Sequence, residues 1–219
     1  MKTDMPCPIP DHSEALARLK DFGPAALDDR EALEVAAGLT AEEGAALFAE
    51  FGSLPEVLAA SGGALLRLAP PEAAARLALV KDIARRLLAS PLRQRPVLSG
   101  WETVAAYLHG VLAGRSREQL LGLFLDKRNR LIRDEVLGEG TVDHVPVYPR
   151  EVMRRALELD AAAVVLAHNH PGGHRVPSTA DIESTRQVVE AGRLLRIAVH
   201  DHFLVADEQV VSFRGLGLL

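Results

Sequence analysis

Asp160-Ala-Ala-Ala-Val-Val-Leu-Ala-His168-Asn169-His170-Pro171-Gly172-Gly173, followed by Pro177-Ser178-Thr179-Ala180-Asp181, is the stretch that decides how this chain folds. Its first half, Asp160 to Ala167, is short, apolar and β-branched at its centre, the composition of a buried strand. Side chains two apart on a strand point the same way, so His168 and His170 aim at one point while Asn169 turns away. Pro171 and the two glycines end the strand, and Pro177-Ser178 opens a helix through about Leu194. Asp181 falls in the first turn of that helix, close enough to be a third ligand. Two imidazoles and one carboxylate, with a coordination position left for water, form the donor set of a catalytic zinc site rather than a closed structural one.

Ser178-x-x-Asp181 also reads as a helix capping box in which Asp replaces the usual Glu. The capping and metal roles are compatible, since the helix start places both groups. The histidines favour metal. An H-x-H at the end of an apolar strand, flanked by glycines, gains little from packing and has no sequence-local partner.

The pattern H-N-H-P-x-G-x-x-x-P-S-x-x-D resembles the metal-binding motif of the RadC-like (JAB/MPN, JAMM-type) proteins. Further segments fit in register: Arg117-Glu118 through Asp126 with Asn129, Gly140-Thr141, Val147 through Val152, Asp201-His202, and Ser212-Phe213 with Gly217. The resemblance covers residues 97 to 219. It implies an α/β fold, a JAB/MPN-like domain with a mixed central β-sheet flanked by helices, and Zn²⁺ held by His168, His170 and Asp181. It also implies that Glu118 is the acidic residue beside the metal and that Ser178 donates to the oxyanion of a tetrahedral intermediate. The reaction class implied is hydrolysis of amide bonds, in peptides or isopeptides.

From the residues alone, a general base besides the ligands is required, because an attacking water must lose a proton. Glu118, Glu135, Glu139 and Glu151 are the carboxylates on offer. Glu118 begins the apolar run Leu120 to Leu125, a central strand, and its alternative is a surface carboxylate beside Arg115 and Arg117. Glu135 and Glu139 belong to a polar strand and turn around Gly138 and Gly140. His200 and His202 flank Asp201 between two apolar strands, Leu195–Val199 and Phe203–Ala206. They read as a hydrogen-bonded trio in which Asp201 accepts from a metal-bound imidazole. His174 reads as an exposed loop residue; His109 and His144 carry no signal.

With 219 residues the chain fits one large or two small domains. Apolar residues make up 48% but aromatic ones only 4%, so the cores are built from Ala, Leu and Val. The single cysteine, Cys7, excludes an internal disulfide framework and suits a reducing cytoplasm. The N-terminus has no apolar signal core, and no segment has the length of a membrane span. Residues 1–98 carry 11 basic and 14 acidic groups, and the remainder 14 and 16, so neither half has the basic excess of a phosphate-binding surface.

Residues 13–89 read as helices: 13–20, 29–37, 40–51, 54–60 and 71–88, with a capping box at Thr40-x-x-Glu43. Ala89 to Pro96 reads as a linker. The expected division is therefore a small all-α domain and linker over 1–96, and the zinc domain over 97–219, beginning with a helix from Ser99 to Gly110. The N-terminal part resembles the helix-hairpin-helix region that often precedes the RadC-like domain. Where such a hairpin presents glycine amides to a phosphate, this chain has Leu68-Ala69-Pro70-Pro71-Glu72, which removes donors and adds a negative charge. Nucleic acid is therefore disfavoured as a partner, and the resemblance implies a peptide or protein substrate. Two other functions stand as alternatives. One is a DNA-transaction factor or nuclease docking through the helical domain. The other is a zinc-binding module without chemistry.

Overall fold

The computed structural model describes residues 13–94, 97, 100–140, 146–207 and 209–219. Expectations resting on Cys7, Arg95, Pro96, Ser99, Thr141 and His144 fall outside these residues. The chain divides into two compact units between Ile83 and Ala84. No helix among the described residues is long and apolar enough to cross a membrane.

The first unit is helical: α1 (Ser13–Phe22), a 3-10 turn at Pro24–Ala26, α2 (Asp29–Ala37), α3 (Ala41–Phe51), α4 (Leu54–Ala59), α5 (Gly62–Leu65) and the start of α6 (Pro71–Gln94). Reciprocal capping boxes, Asp28 with Glu31 and Thr40 with Glu43, satisfy the first amides of α2 and α3. Leu33, Leu39, Leu47, Val57, Leu65 and Leu77 close its core. Pro71 is the first residue of α6, where a missing amide costs nothing.

The expected linker is a correction. Helix α6 runs on through Pro91 to Gln94, because Ala89 and Leu92, three apart on one face, are buried with Val104, Tyr107 and Leu108. An interior proline costs about 3 kcal/mol. Burying one leucine side chain returns about 1.5–3 kcal/mol, and Arg93 adds a bond to the Ile132 carbonyl at 3.3 Å.

The second unit carries α7 (Trp101–Leu112) and a five-stranded sheet in the order β2-β1-β3-β4-β5. Its strands are β1 (Gln119–Leu125), β2 (Leu131–Glu139), β3 (Ala163–Asn169), β4 (Ala198–Ala206) and β5 (Gln209–Ser212). The β3–β4 pair is parallel and the other three are antiparallel, so the sheet is mixed. Helix α7 covers one face, against Leu121, Leu123, Leu125, Val165, Ala167, Phe203 and Val205. Helices α8 (Pro149–Glu158) and α9 (Thr179–Leu195) cover the other, against Phe124, Val164 and Leu166. Both faces of β1 and β3 are therefore buried, which is why these strands read as apolar runs rather than alternating ones.

One further correction concerns β4. The two strands expected around His200-Asp201-His202 are one continuous strand, Ala198–Ala206. Leu195 ends α9, and Arg196 closes it in a left-handed conformation. The polar trio does not break the strand because its groups are paired. Asp201 accepts from the amides of His202 and Arg214 and from Ser212 Oγ, while Asn129 Oδ1 lies 2.8 Å from His200 Nε2.

A buried carboxylate fastens this unit internally. Asp134 on β2 accepts from Tyr107 Oη of α7 at 2.5 Å and from Arg85 Nη1 of α6 at 2.6 Å. Burial and the bond to Asp134 together push the Tyr107 hydroxyl's pKa well up. We expect Tyr107→Phe to lower stability by about 1.5–3 kcal/mol, the range for a hydrogen bond to a charged group. The check is the urea midpoint of the full chain at unchanged slope. An unmoved midpoint would remove the Tyr107–Asp134 bond from the supports of this unit.

Candidate metal centre

The alternation of the sheet builds the centre. His168 and His170 have the parity of Val164 and Leu166, so they project toward α9, whose first turn carries Asp181. Glu118 has the parity of Phe124 and projects toward the same side from just before β1. On β4, His202 reaches Thr185 of α9. His168 is 1% exposed, Glu118 4%, Asp181 6% and His202 fully buried.

Three ligand atoms converge. His168 Nε2 lies 3.1 Å from His170 Nε2 and 3.6 Å from Asp181 Oδ2, and His170 Nε2 lies 3.5 Å from the same oxygen. With metal–ligand distances of 2.0–2.1 Å, tetrahedral coordination places its ligand atoms about 3.3 Å apart. The three side chains thus have the spacing to hold one metal ion.

The hydrogen-bond directions show why a cation suits this place. Thr185 Oγ1 donates its single proton to the Asp181 carbonyl at 2.5 Å. Its contact with His202 Nδ1 at 2.6 Å therefore requires that nitrogen to be the donor. Burial holds the His202 pKa well below its usual value, with a further push from His168, so the ring is neutral. Its Nε2 must then accept from His168 Nδ1 at 2.8 Å, so that the neutral form of His168 carries its proton on Nδ1 and offers Nε2 as a lone pair. His170 reaches the same state by a shorter route, because its Nδ1 faces the His174 carbonyl at 2.9 Å, which can only accept. In their neutral forms both Nε2 atoms present bare lone pairs to each other and to a carboxylate oxygen. A cation relieves that repulsion.

Protons respond to the same field. The Asp181 carboxylate, with the His174 carbonyl, raises the His170 pKa against the opposing effect of burial. Burial pushes Asp181 up, but the two imidazoles and the Ser178 hydroxyl outweigh it and hold the carboxyl far below its usual range. Gly173, at φ 72°, turns the chain after Pro171 so that the His174 carbonyl comes back over His170. Phe213 stacks on His202 with ring centres 4.5 Å apart and closes the pair from solvent.

Ser178 is the N-cap of α9 and forms the capping box with Asp181. Its amide and its hydroxyl both donate to Asp181 Oδ2, at 2.8 and 2.7 Å, so the cap also orients the ligand oxygen. Glu118 Oε1 is 3.8 Å from His170 Nε2, within the same site. The other carboxylates have other partners. Glu135 pairs with Arg155 at 2.5 Å, Glu139 accepts from Gln119 Nε2 at 2.7 Å, and Glu151 pairs with Arg154 at 3.0 Å.

Sequence reasoning assigned the acceptor role beside the imidazoles to Asp201, and the structure moves it to His202, with Thr185 behind it. Thr185 carried no signal, since nothing in the sequence pairs a mid-helix threonine with a distant strand. Asp201 instead ties β4 to the turn after β5. We expect Thr185→Val, which keeps the shape and removes the hydroxyl, to lower affinity for a divalent cation about 10–100-fold. Competition against a chromophoric chelator checks this, and unchanged affinity would show that the relay does not orient His168.

All of these groups lie within residues 98–218, the span over which the chain matches the family model of the RadC-like JAB domain. That span is more than half of the sequence, and the chain belongs to the RadC-like JAB domain family.

Proposed function

We propose that this protein is a zinc-dependent hydrolase of amide bonds, a JAMM-type metallopeptidase or isopeptidase acting on a peptide or protein. The observation that carries the proposal is the convergence of two imidazole nitrogens and one carboxylate oxygen beside a second, separate carboxylate, that of Glu118. Two nitrogens and one oxygen leave a coordination position free, as catalytic rather than structural zinc requires. When bound, Zn²⁺ supplies Lewis acidity and brings the pKa of a water in that position to about 7.

The chain's own groups divide the remaining work. Glu118, buried next to His170, accepts the proton of the attacking water and later delivers it to the leaving amine. Ser178 has a second role beside its cap. Asp181 Oδ2 has two lone pairs, now shared by the Ser178 amide and hydroxyl. Were a metal held through this carboxylate, the amide alone could keep the Asp181 oxygen oriented, and the Ser178 hydroxyl would be free to donate to the oxyanion. A contact of that kind is worth about 3 kcal/mol in the transition state. His202 and Thr185 keep His168 in the tautomer that offers Nε2. A single cysteine suits work in the reducing cytoplasm.

Purified protein is expected to carry about one zinc per chain, lost in His168→Ala and Asp181→Ala. Glu118→Gln is expected to keep the metal and lose turnover of a peptide substrate by a factor of about 10²–10⁴. Zinc absent under metal-replete conditions would contradict the reading. So would a Glu118→Gln variant that turns over normally.

A further inference from the structure

Asn169 sits between the two histidine ligands yet faces away from them, and it is only 3% exposed. A buried primary amide is costly unless its donors and acceptor are used. Here they are used in one particular way. The main-chain pairing of β1 with β3 ends at Leu120 opposite His168. Beyond that point the Asn169 side chain takes over: its Oδ1 accepts from the Gln119 amide at 2.9 Å, and its Nδ2 donates to the Arg117 carbonyl at 3.1 Å. The side-chain amide thus does what one more peptide group of β3 would do. It grips the residues immediately before and after Glu118. The Glu118 carbonyl is itself held by the Gly140 amide at 2.8 Å. Three successive main-chain sites around Glu118 are therefore tied, although the residue lies outside β1.

We propose that Asn169 is a positioning residue for Glu118: it fixes the distance between the general base and the metal ligands. The proposal rests on the zinc hydrolase reading above. One short side chain links the two halves of the site. The strand that delivers His168 and His170 carries, on its opposite face, the amide that holds the base. Any displacement of that strand moves ligands and base together. The role requires a group that donates and accepts on one rigid plane, which asparagine provides. Alanine provides neither function, and serine, with one hydroxyl, cannot reach both Arg117 and Gln119 in the same manner.

The test uses the full chain in three variants: Asn169→Ala, Glu118→Gln and the double variant. Asn169→Ser serves as second probe should the alanine variant fold poorly. Hydrogen exchange at the Gln119 amide is expected to accelerate at least tenfold in the Asn169 variants, while zinc content stays near one per chain. In the cobalt(II)-substituted protein, Asn169→Ala is expected to shift the visible spectrum in the same direction as Glu118→Gln. The double variant is expected to match Glu118→Gln alone, because a residue acting only through Glu118 has nothing left to position. With a peptide substrate, kcat is expected to fall about 10–100-fold at unchanged KM, the scale for a misplaced catalytic group. Unchanged exchange at Gln119, loss of zinc in the Asn169 variants, or spectral effects that add in the double variant would each overturn the proposal. Wild-type protein that binds no zinc would instead overturn the hydrolase reading, and exchange at Gln119 would still decide whether Asn169 grips this segment.

Discussion

The centre depends on the direction of one short chain of hydrogen bonds. A threonine hydroxyl has one proton, and Thr185 spends it on the Asp181 carbonyl. That bond makes His202 Nδ1 a donor, burial keeps the His202 ring neutral, and its Nε2 then accepts from His168 Nδ1, so that His168 turns Nε2 toward Asp181 Oδ2. The chain begins at the backbone of one candidate ligand and ends at the ring of another, so Asp181 and His168 orient each other through Thr185 and His202. Metal-bound imidazoles commonly donate to a carboxylate or a carbonyl. His170 does so, to the His174 carbonyl, whereas His168 uses a neutral ring buried beneath Phe213.

The sheet gives this chain of bonds a rigid frame. β3 is buried on both faces, so its backbone cannot shift without disturbing packing against α7 on one side and α8 and α9 on the other. Its last residues alternate between two tasks. His168 faces the metal position, and Asn169 faces the segment that carries Glu118. The cap of α9 adds a third constraint, since the same serine that satisfies the helix amides also holds the ligand oxygen of Asp181. The three candidate ligands are thereby fixed by strand register and a helix start, which are more exact supports than loops, and Glu118 is held beside them through Asn169.

Much of this was legible in the sequence, for local reasons. The H-x-H at a strand end and the Ser178-x-x-Asp181 cap depend on spacings of two and three residues, and those spacings translate directly into geometry. The mixed sheet, its flanking helices and the helical N-terminal region were readable from apolar runs, caps and family resemblance. What escaped was non-local. His202 and Thr185 meet across 17 positions of sequence, and Asn169 reaches Arg117 and Gln119 across 52 and 50. No periodicity announces such contacts. At Pro91 the reason is different: burial of Ala89 and Leu92 outweighs a local helix-breaking preference. At His200-Asp201-His202, polarity suggested a break, and the hydrogen bonds that permit a continuous strand come from Asn129, Ser212 and Arg214.

X-ray absorption at the zinc edge of the metal-loaded protein addresses the centre most directly, because it counts donors by type. The expected spectrum contains scattering from two imidazoles and two oxygens at about 2.0–2.1 Å, with no sulfur. A third imidazole in the coordination shell would contradict it, since His202 would then be a ligand rather than the neutral acceptor that fixes His168.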